Sequence, residues 1–243
     1  MTWHRRPLFG FDVETTGTDP ETDRIVTACV VRYGGGRSTE ARTWVSDAGG
    51  VDIPLGATAV HGYTTEAARA AGRPAAAVVA EITDALTEAV SAGLPLVAMN
   101  ASFDLTMLDR ECRRYGITPL TERVRPYVID PKVLDKKADR FRRGGRTLTD
   151  LCRHYVVTLG AAHSADADAV AACAVTWKIA NRHRWLGNMP LSELHAAQME
   201  WAREQAEGLA AYFARTPGKQ HQAEGVRLEW PLIPARRAVS CHD

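Results

Sequence analysis

The order of the apolar segments restricts this chain to few folds. Three strand patterns come first, with a run of glycines marking a hairpin turn between the second and third, and helical and strand patterns then alternate. This order predicts a mixed five-stranded sheet flanked by helices, which is an α/β fold. Strand patterns lie at residues 8–13, 25–32, 39–45, 96–99 and 127–130, and helical patterns at residues 75–90, 105–115, 148–155 and 165–181.

A break in this organisation falls at residues 185–190, which separates a main domain, residues 1–184, from a C-terminal part, residues 185–243. The C-terminal part contains an amphipathic helix at residues 191–213 and an extended tail. An apolar stripe of this kind favours packing of the helix on the domain's own core. The alternative is a helix that docks a second protein.

Composition excludes several classes of protein. Hydrophobic residues make up 45% of the 243 residues and the formal net charge is +1, which argues against a disordered chain and against one that coats duplex nucleic acid by charge alone. The five cysteines form no C-x-x-C pair, which favours a reducing compartment over a disulfide framework or a zinc site. No apolar run reaches the ~20 residues of a membrane span, so a cytoplasmic protein is expected.

The first polar feature is a pair of carboxylates at the end of the first strand. Asp12 and Glu14 are two residues apart, so both side chains leave the same face of the sheet. Converging carboxylates repel each other unless they share a cation. The D-x-E pattern alone is weak, because it also occurs at Asp19 and at Asp109. Only the first instance ends an apolar strand and enters a Thr-Thr-Gly turn.

Two further polar features follow later strand or loop patterns. Residues 100–104 read Asn-Ala-Ser-Phe-Asp and place Asp104 in the first turn of a helix, where the helix dipole alone could account for an acidic residue. Residues 163–168 read His-Ser-Ala-Asp-Ala-Asp, with Ser164 positioned to cap the next helix. His163 then lies on a loop and Asp168 in the opening turns of that helix.

Taken together, the three motifs resemble the DnaQ-like, DEDDh class of 3′–5′ exonucleases. That family shows D-x-E-T-T-G, N-x-x-F-D and H-x-A-x-x-D in this order, and the match covers about residues 7–182. Within the family the motifs are similar to those of the proofreading (epsilon) subunits of bacterial DNA polymerase III, which implies a DNA polymerase as partner. One departure is Met99, where many members carry histidine before the asparagine.

The resemblance implies a ribonuclease H-like fold and two divalent ions, Mg²⁺ or Mn²⁺. Asp12 would bridge the ions, Glu14 and Asp168 would bind one, and Asp104 would hold the other. Oxygen ligands suit such hard cations. His163 would be the general base for water, a role suited to an imidazole titrating near pH ~6.5.

The resemblance also implies residues that contact the substrate. Thr15 and Thr16 would place backbone amides or a hydroxyl near the terminal nucleotide, and His61, in a His-Gly pair, would lie near the bound 3′ end. Asn100 belongs to the second motif and is assigned to the same site. Phe103 either stacks on a base or packs in the core.

A basic segment follows the fifth strand. Seven lysines and arginines occur between residues 132 and 146. They form either a solvated helix and loop or a mobile basic flap on the substrate backbone.

These features predict a metal-dependent enzyme that hydrolyses phosphodiester bonds at the 3′ end of single-stranded or frayed DNA and releases nucleoside 5′-monophosphates. One alternative is an RNA-trimming exoribonuclease of the same fold, since recognition of the 2′-OH cannot be located in the sequence. The other is a non-catalytic nucleic-acid-binding module, against which the intact motifs argue. A Rossmann-type dinucleotide binder is excluded because no G-x-G-x-x-G follows the first strand.

Overall fold

In the computed structural model, which describes residues 2–160 and 164–235, five strands form one mixed sheet in the order β3-β2-β1-β4-β5. The strands are β1 (Leu8–Thr15), β2 (Ile25–Tyr33), β3 (Glu40–Val45), β4 (Leu96–Val97) and β5 (Val128–Ile129). The first three are antiparallel, and β4 and β5 run parallel to β1. The predicted fold class is therefore confirmed.

Helices connect the strands that run parallel, because a hairpin turn cannot join parallel strands. They are α1 (Leu55–His61), α2 (Thr65–Ala71), α3 (Ala75–Ser91), α4 (Ala101–Arg114), α5 (Leu120–Arg123), α6 (Pro131–Ala138), α7 (Leu148–Tyr155), α8 (Ala165–Arg182), α9 (Arg184–Asn188), α10 (Leu191–Arg215) and α11 (Gln220–Ala223). Parallel pairing of β1 with β4 and of β4 with β5 requires such crossover connections, and α3 and α4 supply them.

The central strand β1 carries a helix layer on each face. Successive side chains of a strand point to opposite faces. Phe9 lines a groove together with residues of α3, whereas Gly10 lies directly against the backbone of α8. Helices α3 and α8 therefore cover opposite faces of the sheet, and fully buried side chains such as Phe11 and Ile179 fill the space between the layers.

The C-terminal helix α10 packs along the sheet edge formed by β5. Leu194, Gln198 and Trp201 are buried on it. The Gln198 side chain donates from Nε2 to the Val128 carbonyl, at 3.0 Å, and accepts through Oε1 from the Asp130 amide, at 2.9 Å. The helix extends two residues beyond the predicted end. The hydrogen bonds of Gln198 and the buried residues of α10 show this helix packed on the main part of the chain. The domain division at residue 184 stays a prediction.

Two observations bear on the expected compartment. Within residues 2–160 and 164–235, no helix is long and apolar enough to cross a membrane. Four cysteines, Cys29, Cys112, Cys152 and Cys173, are free and buried, and Cys241 lies outside the described residues. The cytoplasmic location itself stays a prediction.

Candidate active site

Asp12 and Glu14 lie on the same face of β1, as the spacing predicts. Both are half-buried. Phe11, which precedes Asp12, and Val13, which lies between the two carboxylates, are buried on the opposite face. The last pair that β1 makes with β4 joins Gly10 to Val97. The two carboxylates therefore project from the part of the central strand that continues past its shorter neighbour, where the sheet opens.

Asp168 reaches the same point from the opening turns of α8. A carboxylate oxygen from each of Asp12, Glu14 and Asp168 lies within 4.8 Å of the others. This approach depends on Gly10, because a Cβ atom there would lie 2.7 Å from the Ala169 carbonyl oxygen and 2.8 Å from the Cys173 sulfur. The absence of a side chain at position 10 lets α8 contact β1 closely enough to bring the third carboxylate to the first two.

Asp104 completes the acidic group from the first turn of α4. It is buried, and its Oδ1 accepts a hydrogen bond from the Val13 amide at 3.2 Å. Val13 lies beyond the last β1–β4 pair, so Asp104 satisfies a backbone donor that the sheet leaves unpaired. That bond places Asp104 between the positions of Asp12 and Glu14 along the strand.

The electrostatics of the four carboxylates show mutual repulsion. Burial raises the pKa of Asp12 well above its usual range, and the charges of Asp104, Asp168 and Glu14 raise it further. Burial and the Asp168 charge raise the pKa of Glu14 to about 7. The pKa of Asp104 is also well above its usual range, chiefly through burial, although its hydrogen bond from Val13 acts in the opposite direction. Such a site gains most from a bound cation.

The donor set fits a hard divalent ion. The atoms that converge are carboxylate oxygens, the ligands that Mg²⁺ and Mn²⁺ prefer, with no thiolate among them. Among the described residues, no ion pair with Lys or Arg involves Asp12, Glu14 or Asp104. Within residues 2–160 and 164–235, no lysine or arginine is therefore paired with these carboxylates at the place where a metal ion would neutralise them.

Asp130, which lies outside the three motifs, positions the start of the helix that carries Asp104. Its buried carboxylate accepts from the Ala101 amide at 3.0 Å and from the Lys132 amide at 2.9 Å. It thereby caps α6 and fixes the first residue of α4. The signal in the sequence was an aspartate after a short strand and directly before Pro131, a common start of a helix.

The threonines of the first motif use their hydroxyl groups within the turn. Thr15 Oγ1 donates to the Gly17 carbonyl at 2.6 Å, and Thr16 Oγ1 donates to Asp23 at 2.8 Å while accepting from the Arg24 amide. Both side chains are buried. They stabilise the turn that follows Glu14, and their predicted contact with a nucleotide stays a prediction.

His61 lies beside the carboxylates at the end of α1. Its Nδ1 accepts from the Tyr63 amide at 3.2 Å, so Nε2 carries the proton that points to the Thr15 carbonyl oxygen, 3.3 Å away. Burial lowers its pKa, in agreement with a neutral ring. Together with Glu14, Ser164 and Asp166, His61 lines a cleft next to the acidic group.

The other two residues of the second motif, Asn100 and Phe103, differ in exposure. Asn100 is exposed, has a left-handed backbone conformation at the start of α4, and accepts through Oδ1 from the Lys132 ammonium at 3.0 Å. Phe103 is half-buried and packs against the core. Both alternatives for Phe103 stay open, because a half-buried ring can pack on the core and still present a face to a base. His163, the predicted base, lies outside the described residues, next to Ser164 at the N-terminus of α8.

Several solved structures of exonuclease I share this fold. Exonuclease I of E. coli in complex with a dT13 oligonucleotide superposes with a TM-score of 0.61 at 21% identity, over 74% of this chain and 42% of that one. The zinc-bound form of the E. coli exonuclease I–ssDNA complex gives 0.60 at 21% identity, with the same shares. Exonuclease I of Methylocaldum szegediense gives 0.60 at 21% identity, over 86% of this chain and 46% of that one.

The chain thus spans less than half the length of these exonuclease I structures. At such identities the likeness establishes the fold. A comparison with curated protein sequences gives no match. The family model RNase_T, described as exonuclease, matches residues 9–176, a range that begins just before Gly10 and ends past Asp168. The match covers most of the chain, and the protein therefore belongs to this exonuclease family.

Proposed function

We propose that the protein is a metal-dependent 3′–5′ exonuclease that acts on single-stranded or frayed DNA ends and releases nucleoside 5′-monophosphates. The observation that carries this proposal is the convergence of Asp12, Glu14 and Asp168 within 4.8 Å, with Asp104 beside them, in a member of an exonuclease family. Within the described residues, Asp12, Glu14 and Asp104 form no ion pair with a lysine or arginine, so a bound cation would supply the charge that neutralises them.

Each residue has a proposed task at the scissile phosphate. Asp12, Glu14, Asp104 and Asp168 would hold two divalent cations, Mg²⁺ or Mn²⁺, which when bound supply Lewis acidity and neutralise charge at the phosphate. His163 would accept the proton of the attacking water. His61, on the rim of the cleft, would orient the 3′ end while its ring stays neutral.

The choice of a DNA single strand rests on two kinds of support. The structures with the same fold include exonuclease I bound to ssDNA and to a dT13 oligonucleotide. The carboxylates also lie where the central strand continues past β4, next to a cleft lined by Glu14, His61, Ser164 and Asp166 that would receive the 3′ end of one strand.

A digest of end-labelled substrates tests this function. With Mg²⁺ or Mn²⁺, 5′-labelled single-stranded DNA should shorten stepwise from its 3′ end, duplex DNA should shorten more slowly, and circular single-stranded DNA should stay intact. Chelation by EDTA should stop the reaction. Cleavage in EDTA, or linear fragments from the circle, would contradict the proposal. Faster digestion of RNA than of DNA would favour the RNA-trimming alternative.

A proofreading role and a DNA polymerase partner, which the motif resemblance implies, are narrower proposals. Proofreading requires that the protein bind a polymerase and remove a mismatched 3′ nucleotide faster than a paired one. Gel filtration of the protein with a bacterial replicative polymerase, followed by digestion of matched and mismatched primers, tests both points. An enzyme that elutes alone and shows no mismatch preference would act in repair or turnover instead.

A further inference from the structure

Three basic residues form a row that starts on α6 and ends in the loop after it. Lys132 and Lys136 are four residues apart and lie on one face of the helix, and Arg140 follows the C-terminal cap residue Asp139, close enough for its charge to act on Lys136. Four residues of helix rise by ~6 Å. Lys132 and Arg140 are exposed and Lys136 is half-buried. The row is thus an accessible line of positive charge.

The row begins at the candidate active site. The Lys132 ammonium donates to Asn100 Oδ1 at 3.0 Å, and Asn100 is the residue at the start of α4, the helix that carries Asp104. At the same point, Asp130 joins the starts of α4 and α6 through its two hydrogen bonds from Ala101 and Lys132 amides. A ligand that leaves the carboxylates along α6 would therefore meet Lys132 first.

Charge pairing separates this row from three of the four other basic residues of the segment; the fourth, Arg143, is exposed and forms no ion pair within the described residues. Lys137 pairs with Glu204 of α10, and Arg142 and Arg146 both pair with buried Asp135. Within residues 2–160 and 164–235, Lys132, Lys136 and Arg140 form no ion pair with a carboxylate.

The environment of Lys136 shows the effect of this arrangement. Its pKa is lowered, first by burial and then by the nearby charges of Arg146, Lys132 and Arg140. Like charges held this close repel each other, so the row would gain stability from a bound polyanion.

The far end of the row is held in place by a buried ionic cluster. Asp135 accepts from Arg142 Nη2 at 2.9 Å, from Arg146 Nε at 2.8 Å and from the Tyr155 hydroxyl at 2.9 Å. These bonds tie the loop between α6 and α7 to the body of the protein. The loop presents Phe141, which is 88% exposed, and the Arg140 guanidinium lies 5.7 Å from the centre of its ring.

We propose that Lys132, Lys136 and Arg140 bind successive phosphates of the strand upstream of the 3′-terminal nucleotide, and that Phe141 stacks on one of its bases. This inference rests on the proposed function. A single nucleic-acid strand fits the surface because it supplies a line of negative charge and stackable bases, the two features that single-strand binders combine. An enzyme whose substrates are too short to have upstream nucleotides would have no use for this surface.

The salt dependence of binding tests the basic row. Affinity for a fluorescent oligothymidylate of about 16 nucleotides is measured in EDTA over a range of NaCl concentrations, so that hydrolysis does not interfere. Each phosphate contact to a single strand contributes about 0.7 to the slope of log K against log salt. The variant Lys132→Gln/Lys136→Gln/Arg140→Gln should therefore have a slope smaller by about 2.

Lys137→Gln is the matched control, because Lys137 lies on the same helix but pairs with Glu204. It should keep the slope of the wild type. An unchanged slope in the triple variant, with an unchanged circular dichroism spectrum, would overturn the proposal. So would a wild type that does not bind the oligonucleotide.

Stacking by Phe141 is measured in the same assay. Phe141→Ala should weaken binding by about 5- to 150-fold without changing the salt slope, and Phe141→Trp should restore it. Equal affinities for Phe141→Ala and the wild type would remove Phe141 from the proposed surface. Failure of the proposed function is seen in a separate assay, the digest with Mg²⁺ or Mn²⁺. A protein that cleaves nothing there but shows the expected salt slopes in EDTA would keep this binding surface and lose the proposed activity.

Discussion

Asp168 and Asp166 both lie in the opening turns of α8 but have different surroundings. Two residues along a helix rotate the side chain by ~200°. Asp168 is half-buried and lies within 4.8 Å of Asp12 and Glu14, whereas Asp166 is exposed. We expect Asp168→Asn to lower the exonuclease rate by a factor of about 100 or more, because it removes a metal-binding charge.

Asp166→Asn is the matched control for that change. We expect it to keep nearly the full rate and to cost ~0.3–1 kcal/mol of stability, because Asp166 interacts favourably with the dipole of α8. Rates are compared in the digest of single-stranded DNA, and circular dichroism excludes misfolding. The opposite result, with only Asp166→Asn inactive, would show that the wrong carboxylate of the third motif has been assigned to the metal site.

Residues of the site differ in how far a sequence can predict them. The spacing of Asp12 and Glu14 follows from the two-residue period of a strand, and it holds in the structure. The role of Gly10 could not be predicted, because it depends on how closely α8 approaches β1. The hydroxyls of Thr15 and Thr16 bond within their own turn, which motif comparison does not reveal.

Elements with an apolar stripe were predicted closely, and elements without one were missed. Helix α7 has the predicted bounds, and α3 and α8 each extend one residue further. Helix α1 has no buried residue, so it lacks the apolar periodicity that would indicate a helix. The strands β4 and β5 are shorter than their apolar runs, because the chain turns into α4 and α6 once their first residues have paired.

At the element scale, a testable contact joins α10 to the edge of the sheet. Gln198 pairs with the Val128 carbonyl and the Asp130 amide, two backbone groups of the edge strand and its end. Gln198→Leu would leave both buried groups without this partner, at a cost of about 1–3 kcal/mol each. We expect a clear loss in the free energy of unfolding, measured by urea denaturation.

Glu200→Gln, an exposed change in the middle of the same helix, serves as the control and should alter stability by less than about 0.5 kcal/mol. If Gln198→Leu were as stable as this control, the side-chain amide would not be needed at the sheet edge. Helix α10 would then be held by its other contacts, which include buried Leu194 and Trp201 and the hydrogen bond from Gln205 to the Val133 carbonyl.

At the scale of the whole molecule, the acidic site links stability to pH. The pKa of Glu14 is raised from 4.5 to about 7 in the folded protein, and the pKa values of Asp12 and Asp104 are raised in the same direction. Below about pH 4.5 Glu14 is protonated in both the folded and the unfolded state and contributes nothing. As the pH rises through the window from 4.5 to about 7, the unfolded state loses its proton first, so the free energy of unfolding falls. Above that window the destabilisation is complete.

We therefore expect Glu14→Gln to raise the melting temperature of the metal-free protein relative to the wild type, and to do so more at about pH 8 than at about pH 5, because a neutral side chain has no proton to lose. Buried histidines such as His61 and His195 have lowered pKa values and act in the opposite direction, equally in both proteins. Mg²⁺ or Mn²⁺ should raise the melting temperature most at the higher pH, by binding the folded state alone; a concentration 100 times the dissociation constant corresponds to about 2.7 kcal/mol. Differential scanning calorimetry with and without EDTA measures both effects. Glu207→Gln, an exposed change on α10, should leave the pH profile of the wild type unaltered. If Glu14→Gln changed the melting temperature by the same amount at both pH values and the metal had no effect, these carboxylates would not repel one another in the folded protein, and the proposed metal site would lose its electrostatic basis.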